Sequence, residues 1–437
     1  MHTSRVLLHL TFVGIALIPA VRWHGGESVH AVPRRIAYVT NALQGSNHPA
    51  TPTSTTTAIL PDPGTAAPLL STSKLAWGVI GNNTTRLADE YARGITVKVV
   101  RLSWKDLFPN EGTISNSYVV QKQNEFAVMR AAGFQIIGDL GIQDSPPWVH
   151  TNYANSYYMD QYGDEYHGPV DSGDVNLVFN PAMRILGAQY IQAVISNFGR
   201  YFSALRIGGG PSNELDYALP TYNGHTNCYW AFDPTALTED PVPAWRPGQA
   251  SPNGEAAAFL NFYLQALTTY QTWQIATVRQ VGYTGQIMVL YPSYGIRPGQ
   301  TASAIADNLD GTSVLEINGE TSTGVDYARQ VAAITDPNVI VYSTWLDFSS
   351  PYQNDAGSDP TRWTPIKYLA SLAQANPLHL RIGGENTGQG SAATLTYSVE
   401  QSIRYGLINM NWYTEQELYS GQYATAAQYR QAISTAP

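Results

Sequence analysis

Residues 205–217 read LRIGGGPSNELDY. From Leu205 to Gly210 every residue except Arg206 is apolar or glycine, and the run then stops at Pro211-Ser212-Asn213-Glu214. A short apolar run bounded by turn residues predicts a buried strand. It ends on an amide and a carboxylate side by side. In sheets of parallel strands joined by crossover helices, chemistry gathers where strands end. The meaning of this stretch therefore depends on whether other strands end in the same way.

Outward from it, apolar runs and amphipathic stretches alternate. Strands are predicted at 76–80, 98–103, 134–140, 204–208, 286–291, 313–317, 339–345, 379–383 and 407–412. Helices are predicted at 119–132, 183–202, 256–281, 327–335, 365–375 and 393–405. Such alternation predicts an α/β fold with a parallel sheet. Eight or nine strands, without a Gly-x-Gly-x-x-Gly turn, favour a (β/α)8 TIM barrel over a doubly wound sheet.

The residues after each run then fall on one face of the barrel. Strand two leads into Arg101-Leu102-Ser103-Trp104, and strand three into Asp144-Ser145-Pro146-Pro147-Trp148. Strand four leads into Asn213-Glu214, and strand six, in IVYSTW, carries Tyr342 with Trp345 after it. Gly383-Gly384-Glu385-Asn386 follows strand seven, and Asn411-Trp412-Tyr413 closes strand eight. Glu214 and Glu385 both follow glycines and would face each other across the barrel mouth. Two carboxyls flanking one bond are what glycosidic cleavage requires, one to protonate the leaving oxygen and one to attack or to activate water. Asn213 is placed to bond a sugar hydroxyl beside the reacting centre, or serves only as a turn residue. Tyr342 is placed to bond Glu385 or to pack in the core. Trp148, Trp345 and Trp412 are candidate sugar platforms or core residues, and Asp139, Glu316 and Asp347 also end strand candidates. The Tyr and Trp of the long segment after Glu214 are candidates to wall the site.

Composition narrows the class. Charged residues make up 13%, against about 25% in ordinary proteins. Tyrosine (28) and tryptophan (10) are abundant, which suits neutral polar ligands, because aromatic faces stack on sugar rings. A net charge of −9 without a basic stripe argues against nucleic-acid binding. Cys228 is the only cysteine, so no internal disulfide or cysteine metal site can form. The nine histidines form no HExxH, so neither a metal nor another cofactor is expected.

The first residues, MHTSRVLLHLTFVGIALIPA, combine Arg5 with an apolar stretch from residue 6 to 20. This fits a secretory leader, residues 1–31, with Val29-His30-Ala31 as the cleavage site; a single N-terminal membrane anchor is the alternative. Residues 32–73, rich in Thr, Ser and Pro, are predicted to form a disordered linker. Residues 74–437 would hold the barrel, in a secreted, extracellular protein whose partner is an oligo- or polysaccharide. Nothing in the sequence bears on subunit number.

The ordered motifs resemble those of the clan A glycoside hydrolases. Asn213-Glu214 after strand four and Glu385 after strand seven are similar to that clan's hallmark. VVRLSWKDLFPNEGTIS and DSPPWV resemble segments of beta-galactosidase-like families, glycoside hydrolase family 42 being nearest. The resemblance covers about residues 76–413. It implies a retaining hydrolase acting on a beta-linked sugar, with Glu214 as acid/base, Glu385 as nucleophile and Asn213 contacting the 2-hydroxyl. It also implies that Arg101 holds the nucleophile and that Trp412 floors the sugar site. GGGPSNELDYALPTY resembles, in addition, a segment of the inverting beta-amylases, glycoside hydrolase family 14, with Asn213 in place of their glycine. An inverting alpha-glucan hydrolase is therefore the alternative, and a carbohydrate-binding barrel without turnover is a third.

Overall fold

In a computed structural model, the structure describes residues 66–71, 73–168, 174–312 and 321–435. The leader and most of the linker lie outside these residues, as does the strand expected at 313–317 with Glu316.

Eight parallel strands close into a barrel: β1 (Ala76–Ile80), β2 (Val97–Arg101), β3 (Gln135–Asp139), β4 (Phe202–Ile207), β5 (Gln286–Tyr291), β6 (Val339–Ser343), β7 (Arg381–Glu385) and β8 (Asn409–Trp412). Each strand pairs with its neighbours in sequence, and β8 pairs with β1, Asn411 opposite Gly78. β5 pairs directly with β6, and the described strands alone close the ring.

The helices begin where local chemistry starts them. Asn116–Ala131 is capped by the Ser115 side chain, Pro181–Phe198 by Asn180, Pro365–Ala375 by Thr364 and Ala392–Arg404 by Ser391. Each cap side chain accepts from a first-turn N–H that has no partner within the helix. Pro181 and Pro365 occupy first-turn positions where their missing N–H costs nothing. The second of these helices ends at Phe198, four residues before its predicted limit. A 3-10 turn, Gly199–Tyr201, then delivers the chain into β4.

Side chains alternate along each strand, giving two cores. Leu205 and Ile207 of β4 pack outward against helices, in the cluster that holds Met183, Ile191 and Val194. Val97, Val99, Ile137, Ala204, Met288, Leu290, Ile340 and Tyr342 fill the interior. Leu70 joins that interior group. Its N–H donates to Gln286 Oε1 at 2.9 Å, while Gln135 Nε2 donates to the Leu69 carbonyl at 3.0 Å. Gln135 and Gln286 start their strands, so residues 66–71 seal the N-terminal end of the barrel. The packed chain therefore begins before residue 74, the boundary predicted from composition, because composition does not reveal one leucine aimed into a hole.

Candidate active site

The alternation that fills the barrel also sets its upper layer. Strand register places Arg101 of β2 opposite Asp139 of β3, and Asp139 opposite Arg206 of β4. Glu385 of β7 lies opposite Asn411 of β8. Arg206 shares the inward parity of Ala204, and its guanidinium reaches across the barrel. Nη1 donates to Glu385 Oε2 at 2.8 Å and Nη2 to Oε1 at 3.0 Å. Tyr342 Oη donates to the same Oε2 at 2.9 Å and itself accepts from Asn411 Nδ2 at 2.8 Å. Glu385 is buried, and burial pushes its carboxyl above the ordinary value; Arg206 and Tyr342 act in the opposite sense by stabilising the anion.

Glu214 is positioned by a tight turn. Asn213 N–H donates to the Gly210 carbonyl and Gly210 N–H to the Glu214 carbonyl, both at 2.8 Å. Gly209 at φ 117° and Asn213 at φ 65° supply the left-handed backbone this turn requires. A Cβ on Gly210 would collide with Asp216 Oδ1, so this glycine clears space for the protein's own carboxyl. Asn213 Nδ2 donates to Asp139 Oδ1, while Asn213 Oδ1 is buried without a hydrogen-bond partner among the described residues.

The Glu214 carboxyl accepts from Thr344 Oγ1. Burial, then the charge of Asp216, then that of Glu385 push it up to about 8, with Thr344 and Arg206 opposing. The two glutamates thus have contrasting surroundings. Glu385 is gripped by a cation; Glu214 faces other carboxyls. Burial raises both carboxyls, but only Glu385 has a bound cation to stabilise its anion, so their surroundings differ.

The other predicted residues are distributed differently. Arg101 does not hold Glu385. Its side chain is half exposed and pairs with Asp144 at 3.4 Å, and Arg206 supplies the guanidinium instead. Trp412 is wholly enclosed, and a Cβ on Gly390 would press on its ring, so it has no open face to floor a sugar site. Its neighbour Tyr413 is 42% exposed and feels the charge of Glu385. Trp148 is half-buried, donating from Nε1 to the Phe108 carbonyl at 2.8 Å. Trp345 is half-buried and directly follows Thr344. Asp347 accepts from Thr387, bracing the turn after β7.

The long segment after Glu214 forms a hairpin, Thr221–Tyr222 with His225–Thr226, and a helix, Pro234–Glu239. Its Cys228, Tyr229 and Trp230 are fully buried packing residues. Among the described residues no group of His, Cys, Asp and Glu is arranged to hold a metal ion, and no helix is long and apolar enough to cross a membrane.

Four residues of the site were not singled out from the sequence: Arg206, Thr344, Asp216 and Tyr294. Arg206 carried a readable signal, as the one charge inside an apolar strand at the parity that faces the barrel axis. The other three owe their place to the folding of separate loops.

No family model matches the chain, and no curated protein matches it. Solved structures do share the fold. The catalytic domain of a beta-amylase from Paenibacillus polymyxa superposes with a TM-score of 0.63 at 14% identity, over 85% of this chain and all of that one. A beta-galactosidase from Marinomonas ef1 gives 0.51 at 10% identity, covering 82% of this chain and 59% of its own. A beta-galactosidase from Halorubrum lacusprofundi gives 0.52 at 12%, covering 82% and 58%.

Proposed function

We propose that the protein is a glycoside hydrolase of the clan A type that cleaves a beta-linked sugar with retention. The observation that carries this reading is the pair Glu214 and Glu385, at the mouth of one barrel, with opposite electrostatic surroundings. Glu385 attacks the anomeric carbon while Glu214 donates its proton to the leaving oxygen. Glu214, now a carboxylate, takes a proton from water, and that water releases the sugar from Glu385. Asn213 Oδ1, buried and unpartnered, is suited to accept the 2-hydroxyl. The leader-like N-terminus and the few charged residues favour action outside the cell, on an oligo- or polysaccharide.

Replacing Glu385 or Glu214 by glutamine is expected to abolish hydrolysis of an aryl glycoside. Wild-type rates in both variants would remove the assignment. An inverting alpha-glucan hydrolase is the second reading, favoured by the beta-amylase domain that superposes over its whole length. Proton NMR of the first-formed anomer separates the two. Calorimetric binding of an oligosaccharide with no product after long incubation would instead favour a binding barrel.

A further inference from the structure

Asp216 stands two residues beyond Glu214, with only 7% of its surface exposed. Its Oδ2 accepts from Tyr294 Oη at 2.6 Å; its Oδ1 lies against Gly210 and has no hydrogen-bond partner among the described residues. The nearby cations are engaged elsewhere, Arg206 with Glu385 and Asp139, and Arg101 with Asp144. Asp174 is a third such carboxyl, 6% exposed and with an Oδ2 that has no hydrogen-bond partner among the described residues. The three carboxyls feel one another: Asp216 acts on Glu214, and Asp174 on Asp216. Buried carboxylates without cations cannot all be ionised, so such a group retains protons.

The geometry points to Asp216, fixed by Tyr294, as a positioning residue that keeps the proton on Glu214 by presenting a second buried carboxyl beside it. This rests on the reading of Glu214 as the acid. The groups that bear on the pair come from every side: Arg206 on β4, Asp174 and Tyr166 from the segment before Pro181, Tyr294 after β5, and Tyr327 beyond it. Thr344 after β6 and Glu385 on β7 complete the set among the described residues. Arg206, the one cation among them, is paired with Glu385 and Asp139 and not with Asp216. When Glu214 gives its proton to the leaving oxygen, it becomes an anion beside Asp216. That repulsion favours return of a proton from the attacking water to Glu214, so the cycle balances without another reactant.

Asp216→Asn removes the charge and keeps an oxygen for Tyr294 to bond. The basic limb of the kcat/KM profile should then move down by about one pH unit. At about pH 9, above both limbs, the variant should lose about tenfold on a methyl glycoside, whose leaving group needs a proton, and little on a dinitrophenyl glycoside, which needs none. Asp216→Glu should restore the wild-type profile. Tyr294→Phe, which withdraws the hydrogen bond favouring the Asp216 anion, should move the limb down by less. Carbon-13 NMR titration of the Glu214 carboxyl in wild type and Asp216→Asn reads the same effect without turnover. An unmoved Glu214 titration, or equal losses on both glycosides, overturns the inference. A wild type that cleaves no glycoside, with the titration still moved, overturns the proposed function and leaves the carboxyl pairing standing.

Discussion

Arg206 holds Glu385 with both terminal nitrogens, at 2.8 and 3.0 Å, from 179 residues away along the chain. The pair crosses the barrel from β4 to β7, and both side chains are at least nine-tenths buried. It links the strand that leads to Glu214 with the strand that ends in Glu385. Four predictions concern this arrangement and the packing around it.

Arg206→Gln leaves Glu385 buried without its cation. Breaking a buried pair from one side costs about 3–5 kcal/mol, so urea denaturation should show a loss of that order. The Glu385 carboxyl should also become harder to ionise, moving the acidic limb of the kcat/KM profile to higher pH. A variant with unchanged stability and an unchanged acidic limb would show that Arg206 does not hold Glu385.

Tyr342→Phe removes a hydrogen bond to Glu385 and a partner of Asn411. A hydrogen bond to a charged group is worth about 1.5–3 kcal/mol, so kcat should fall by about tenfold to a hundredfold while the fold survives. Steady-state kinetics and thermal melting decide this; a melt lowered strongly with kcat intact would make Tyr342 a packing residue only.

Thr344→Val removes the hydroxyl that donates to Glu214. A donor stabilises the carboxylate, so its loss makes Glu214 hold its proton more tightly. The basic limb of the pH profile should therefore move up, the direction opposite to that expected for Asp216→Asn. A downward shift would mean that Thr344 bonds the neutral acid.

Burial brings Glu214 and Asp174 up to about 8 and Asp216 up to about 7. Each carboxyl then binds more protons folded than unfolded between its ordinary acidic value and its raised one. Stability falls with pH wherever the native state holds more protons. The melting temperature should thus decline from about pH 5 to pH 8, and Glu214→Gln should flatten that decline. A melting temperature that rises over this range would contradict the buried-acid cluster.

Much of the architecture was legible along the chain. Eight apolar runs became the eight barrel strands, because a parallel strand covered on both faces must be apolar nearly throughout. Gly208-Gly209-Gly210 and Asn213 marked a turn that only such residues can make, since the left-handed backbone at Gly209 and Asn213 excludes most side chains.

What the linear chain left undetermined was which charge meets which. Arg101 and Arg206 are both arginines at the upper ends of strands. Arg101 is the last residue of β2, half exposed, and turns to Asp144; Arg206 is buried one residue before the end of β4 and reaches Glu385. That choice depends on barrel stagger, which sets the height of each strand end and is a property of the closed ring, not of any one strand. The same holds for the tryptophans. A sequence shows that Trp412 is large and apolar, but only helix packing around β8 encloses it while leaving Tyr413 exposed. The chain by itself determined the strands and the turn, and marked Glu214 and Glu385 as candidates. The tertiary structure decided their partners, because hydrogen bonds and ion pairs form between residues that only the closed barrel brings within reach.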